Sequence, residues 1–101
     1  LVSRLQGPEF SSAMIEVAGH TDSDPVVHAK KAGIKSNWDL SARRAEMVLQ
    51  ELMALGIPAD RLHLSGYAST RPIGPESTRS EKQRNRRVEI RLHQPGGAAG
   101  G

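Results

Sequence analysis

Two short stretches of this chain set opposite charges where a small ligand could lie between them. Gly19-His20-Thr21-Asp22 closes a β-type run with a carboxylate. Ser36-Asn37-Trp38-Asp39-Leu40-Ser41-Ala42-Arg43-Arg44-Ala45 opens a helical run with guanidinium groups in its first turns. An acid and a base on neighbouring rigid elements make a receptor for a ligand carrying both an ammonium and a carboxylate. Arginine suits the second task, because its planar fork clasps a carboxylate bidentately and keeps its charge. Arg44 lies four residues after Leu40, so it projects from the first turns beside the apolar stripe rather than opposite it. The plainer alternative is that acid and base only pair with each other across a strand–helix junction.

The elements that must position these groups follow from pattern. Ala13–Ala18 predicts a strand with Ile15 and Val17 on one face and Glu16 on the other; Gly19 predicts its end, and His20–Pro25 a loop. Val26–Lys35 has no clean period and contains Gly33, which predicts an irregular insertion. Ser36 with Asp39 approximates a capping box. Leu40, Ala45, Val48, Leu49, Leu52 and Leu55 then form one helical stripe, stopped by Gly56 and Pro58. Arg61–Ser65 predicts a second strand with Leu62 and Leu64 inward, closed by Gly66. Pro72, Gly74 and Pro75 mark a loop over Ala68–Ser77, and Thr78 with Glu81 caps a short helix to Gln83 or Arg84. Arg87–Leu92 alternates best, with Val88, Ile90 and Leu92 inward and Arg87, Glu89 and Arg91 outward.

The 101 residues suffice for one small domain, and with 37% hydrophobic but only 3% aromatic residues its core must be aliphatic. Cysteine is absent, so there is neither a disulfide framework nor a thiolate metal site. No apolar run approaches the roughly 20 residues of a membrane span, and no signal peptide is visible. The expectation is a soluble cytoplasmic protein or a piece of a larger exported one, and a start at Leu1 favours the second. Net charge is +3, and Arg79–Arg91 carries six basic residues against two acids. That segment is either a polyanion footprint or a solvated alternating-charge face. With one Phe, one Trp and one Tyr, stacking platforms are scarce, and nucleic-acid binding is not expected. Gly-x-Ser-x-Gly, His-Glu-x-x-His, a cysteine nucleophile and a glycine-rich phosphate loop are all missing, so no enzyme and no cofactor is expected. His20, Asp22 and Asp24 make a weak metal grouping, and no metal is expected.

Gly19–Asp22, Ser36–Ala45 and Asn85-Arg86-Arg87-Val88-Glu89-Ile90 resemble, in order, three motifs of the OmpA C-terminal-like family of peptidoglycan-binding domains. The Ser-Asn-Trp-Asp-Leu-Ser wording is most similar to its MotB branch, the wall-anchoring subunit of the flagellar stator. The resemblance covers roughly Ile15 to Leu92. It implies an α+β fold: an OmpA-like βαβαβ core, a mixed sheet packed on helices, N-terminally shortened because the family places one more strand and a long helix before it. Residues 1–12 would be a remnant of that helix or a vector-derived segment, 13–93 the OmpA-like domain, and 94–101 a flexible Gly/Ala tail. A sheet short of a strand exposes an edge, which favours self-association.

The resemblance also implies a ligand, the free zwitterionic diaminopimelate centre of a peptidoglycan stem peptide. By the family's motifs Asp22 takes its ammonium and Arg44, not Arg43, its carboxylate. Thr21 and Asn37 would border the cleft, Leu40 would floor it, and Arg86 would face it. Each has an ordinary alternative: a loop hydrogen bond for Thr21, a helix cap for Asn37, core packing for Leu40, a structural salt bridge for Arg86. Asp22 and Arg44 stand 22 positions apart, longer than in porin relatives and closer to MotB-like domains; His28 and Trp38 would cover the cleft or simply pack. The implied role is non-catalytic anchoring of a larger, membrane-attached envelope or flagellar motor protein to the wall in the periplasm, as a homodimer. A Pal- or OmpA-type outer-membrane tether is the alternative.

Overall fold

The computed structural model describes residues 13–26 and 33–93. The expected N-terminal helix remnant (1–12), the Gly/Ala tail (94–101) and His28 therefore lie outside the described residues. Three strands, β1 (Met14–His20), β2 (Leu62–Gly66) and β3 (Arg87–His93), form one mixed sheet in the order β2-β1-β3. β1 runs parallel to β2 and antiparallel to β3. The crossover between β1 and β2 is α1 (Asn37–Ala54), and α2 (Arg79–Asn85) precedes β3. No helix among the described residues is long and apolar enough to cross a membrane.

α1 forms where its sequence signals lie. The Ser36 hydroxyl accepts from the Asp39 N–H, and the Asp39 carboxylate accepts from the Lys35 N–H at 2.9 Å, one residue ahead of the usual reciprocal bond. At the other end Gly56 takes a left-handed φ of 106°. The Ile57 N–H reaches back to the Leu52 oxygen and the Gly56 N–H to the Met53 oxygen, both at 3.0 Å, which together satisfy two carbonyls the helix leaves orphaned. Leu52 and Ile57, brought together by that turn, join Ile15, Val17 and Ala45 in the core, with Val48, Leu49, Leu62, Val88 and Ile90 packed against them.

Periodicity overestimated how far this core extends. Leu55 is 61% exposed beyond the helix end, and Leu64 and Leu92 are each 38% exposed on the outer strands, where α1 covers the sheet only in part. Leu40 is half-buried and stands outside the core cluster.

β1 also runs further than expected: Gly19 does not end it, and the ladder continues to His20 opposite Arg87. Gly19 is there because α1 lies against it. A β-carbon at that position would overlap the Ser41 carbonyl oxygen and sit 2.8 Å from its carbon. Gly66 is nearly as tight, its β-carbon falling 2.9 Å from Ser41 Oγ. Glycine here permits close backbone approach rather than breaking the strand. The buried Ser41 seals the junction, its hydroxyl donating to the Trp38 oxygen at 3.0 Å and accepting from the Ala68 N–H at 3.1 Å.

Candidate functional site

The site lies where the end of β1, the start of α1 and the end of α2 converge. Thr21 and Asp22, at 3% and 5% exposure, are fixed by backbone geometry first. The Thr21 N–H donates to the Ala68 oxygen, and its hydroxyl to the Asp22 oxygen, each at 2.8 Å. Asp22 Oδ1 accepts the Asp24 N–H at 3.0 Å in an Asx-type turn. Asp22 Oδ2 accepts from Arg86 Nη1 at 2.6 Å, a short charge-assisted bond. The carboxylate expected to take a ligand's ammonium is thus paired with the arginine that follows α2.

Asn37 opens α1 and donates to the Asp24 oxygen at 2.9 Å and the Asp22 oxygen at 3.3 Å, so it ties the loop to the helix rather than capping it; Ser36 is the cap. α2 holds the same loop from the other side, with Lys82 Nζ 3.2 Å from Asp24 Oδ1. Ser23 donates through its N–H, at 3.0 Å, and its hydroxyl to the Glu76 carboxylate. Those bonds, the Ser23 hydroxyl's first and then that of Asn85, hold Glu76 below the usual carboxylate range. α2 itself is set by a complete capping box between Thr78 and Glu81.

Arg44 is half-buried, and its side chain makes no hydrogen bond or ion pair among the described residues. It lines an open depression of about 490 Å³ whose wall includes Val48, Val88, Glu51 and Arg86. Arg86 therefore links the predicted residues, pairing with Asp22 and sharing the depression with Arg44. Direct Asp22–Arg44 pairing, the plainer alternative, is not what the structure contains. Of the expected site residues, Asp22, Thr21, Asn37 and Arg86 are linked by hydrogen bonds or sequence neighbourhood, and Arg44 shares the depression with Arg86. Leu40 is half-buried, and Trp38 is 57% exposed at the helix start.

Several contributors were missed in the sequence. Asn85 is fully buried and staples the loop before α2, accepting the Ile73 N–H at 2.9 Å and donating to Glu76 Oε2 at 2.6 Å and the Gly74 oxygen at 3.3 Å. No local pattern marks an asparagine for that task. His20, the first side chain of the His-Thr-Asp run, turns to the opposite face of the sheet. It is fully buried and stacks on Tyr67 at 5.2 Å; its ring nitrogens make no hydrogen bond among the described residues, and Nε2 lies 3.7 Å from the Glu89 carboxylate. Burial first, and Arg87 next, lowers its pKa, against a smaller opposing pull from Glu89. His20, Asp22 and Asp24 do not converge on a metal position.

The comparisons with known proteins agree with this architecture. Motility protein B of Helicobacter pylori is 40% identical over 76 residues, 75% of this chain and 28% of that protein. The chain spans less than a third of the length of the first relatives it matches. The crystallised C-terminal domain of Helicobacter pylori MotB superposes with a TM-score of 0.80 at 30% identity, over 98% of this chain and 70% of that one. The cell wall anchor of the T6SS from Pseudomonas aeruginosa superposes with a TM-score of 0.68 at 30% identity, over 83% of this chain and 66% of that one. Residues 1–86 match the OmpA family, and the chain belongs to it.

Proposed function

We propose that this domain binds peptidoglycan without catalysis and anchors a larger envelope or motor protein to the cell wall in the periplasm. The observation that carries the proposal is Arg44, a half-buried guanidinium with no partner of its own among the described residues, on a depression it shares with Arg86, the ion-pair partner of Asp22. A free diaminopimelate centre would place its carboxylate on the Arg44 fork and its ammonium on Asp22, which already holds one cation. Charge-assisted hydrogen bonds of this kind contribute about 1.5–3 kcal/mol each, or roughly ten- to a hundredfold in affinity. Likeness to a MotB domain and to a cell wall anchor supports the same role, with the stator-type anchor ahead of an outer-membrane tether.

A polyanion footprint on Arg79–Arg91 is disfavoured, because much of that charge is spent internally. Arg86 pairs with Asp22, Lys82 with Asp24, and Arg87 and Arg91 with Glu89. The outer edges of β2 and β3 are unpaired among the described residues, which supports the expected dimer. A concentration-independent monomer in light scattering would refute that part alone.

The binding test is co-sedimentation with diaminopimelate-type sacculi. Asp22→Ala and Arg44→Ala should each abolish pelleting while circular dichroism stays native. Amidated diaminopimelate should compete worse than the free acid, since amidation removes the charge Arg44 needs. Native-like pelleting of both variants would sink the proposed site.

A further inference from the structure

The sheet face turned away from α1 carries a polar cluster that the wall-binding reading does not use. At its centre is Glu16 on β1, only 5% exposed. Its register partner on β2 is His63, and His93 on β3 lies two residues beyond its register partner Arg91. Direct and diagonal neighbours on one sheet face are within reach of long side chains. One ligand atom from each of Glu16, His63 and His93 lies within 4.8 Å of the others. Glu16 Oε1 is 2.9 Å from His93 Nε2, and the two imidazoles stack at 5.8 Å. The second carboxylate oxygen accepts from the Tyr67 hydroxyl at 2.9 Å, and Tyr67 is itself backed by His20. The nearest guanidinium across the ladder, Arg91, is turned away to Glu89 at 2.8 Å.

We infer that Glu16, His63 and His93 form a binding site for a divalent transition-metal ion, zinc foremost. Two imidazoles and one carboxylate suit zinc, copper or nickel, whereas magnesium and calcium require mostly oxygen ligands. Three protein ligands leave a fourth position for water. Ligand atoms bound tetrahedrally at about 2.0–2.2 Å from an ion stand about 3.4 Å from one another. The present separations bracket that spacing, so rotation of the exposed His63 and His93 side chains closes the set. Tyr67 orients the carboxylate by holding its other oxygen, as supporting hydrogen bonds commonly do around bound metals. Each strand supplies one ligand, so the ion cross-links β2, β1 and β3 on the face opposite α1. It does so independently of Asp22 and Arg44.

The test is calorimetric titration of the chelator-stripped chain with zinc chloride, with magnesium chloride as the comparison. One equivalent of zinc should bind with micromolar or tighter affinity and raise the melting temperature, while magnesium does neither. Cobalt(II) in place of zinc should give the intense visible bands of a tetrahedral site. His63→Gln and His93→Gln, both at exposed positions that leave the core intact, should abolish the bands and the thermal shift. Tyr67→Phe should weaken zinc by about 10–100-fold. Absence of one-to-one zinc binding, or binding undiminished in both histidine variants, would overturn the site. Wall co-sedimentation of the same histidine variants should remain native.

Discussion

Replacing Gly19 by alanine tests whether the site is assembled by close approach of β1 and α1. The added β-carbon would overlap the Ser41 carbonyl oxygen and stand 2.8 Å from its carbon and 3.2 Å from its Cα. Packed carbon atoms settle at about 3.5–4.0 Å, so one backbone must retreat by roughly 1 Å. α1 cannot tilt away freely, because the buried Ser41 hydroxyl is bonded on both sides, to Trp38 and to Ala68. Overpacking of this kind costs about 1–3 kcal/mol, and a lost buried hydrogen bond adds about 1 kcal/mol. The expected loss is therefore about 2–4 kcal/mol, or roughly 10–25 °C in Tm for a domain of this size. Urea unfolding followed by circular dichroism measures it. Gly74→Ala is the control, since nothing lies within 4 Å of its added β-carbon, and it should stay within about 0.5 kcal/mol of the parent chain. Gly19→Ala unfolding at the same urea concentration as Gly74→Ala would refute the close-approach argument. Gly19→Ala should also weaken wall binding beyond what its unfolded fraction explains, because the retreat separates Asp22 from Arg44.

Three further outcomes are expected. Asn85→Ala removes the acceptor for the Ile73 N–H and the donor to Glu76, and should cost about 2–3 kcal/mol, with faster amide exchange at Ile73; unchanged exchange would count against the staple. Arg86→Met strands the carboxylate of Asp22, and because the guanidinium is about a third exposed the cost should be about 1–3 kcal/mol. A double-mutant cycle with Asp22→Asn checks this, and a coupling energy indistinguishable from zero would mean the pair contributes nothing. Burial raises the carboxyl of Glu16, but hydrogen bonds from His93, Ser65 and Tyr67 and the charge of His63 outweigh it and bring it from 4.5 to about 2. A carboxyl lowered on folding adds stability above its unfolded value and loses it as pH falls from 4.5 through about 2. At about 1.36 kcal/mol per tenfold change in proton affinity, that is about 3 kcal/mol. Glu16→Gln should therefore lose less stability than the parent chain between neutral pH and pH about 2, and equal losses would refute the assignment.

What the sequence disclosed depended on how local each signal was. α1 was legible because a cap, a stripe and a glycine stop fall within one continuous segment, and α2 because Thr78 and Glu81 are three residues apart. The alternation of Val88 and Ile90 placed β3 to within a residue. Gly19 misled because a glycine that admits a helix looks the same in sequence as one that ends a strand. Leu55, Leu64 and Leu92 misled because periodicity names the face of an element but not how much of that face is covered. Asp22 and Arg44 could be singled out from their motifs, but the pairing of Asp22 with Arg86 spans 64 residues and depends on how β3 docks. Glu16, His63 and His93 come from three strands and share no spacing at all.

The contacts that shape the loop after β1 reach far along the chain, Ser23 to Glu76, Asp24 to Lys82 and Asp22 to Arg86, at separations of 53, 58 and 64 residues. Closing loops of this length costs chain entropy that rises with separation, so these contacts gain most from elements that have already collapsed around them. β1, α1 and β2 can assemble with Arg44 already displayed while Asp22 still lacks its partner. The proposed receptor is therefore complete only when the loop after β1 has docked on α2 and the residue that follows it. In the proposed wall-binding role, a ligand that binds only the finished state would favour folding by mass action, so the wall strand would also act as a clamp on the fold of its own anchor.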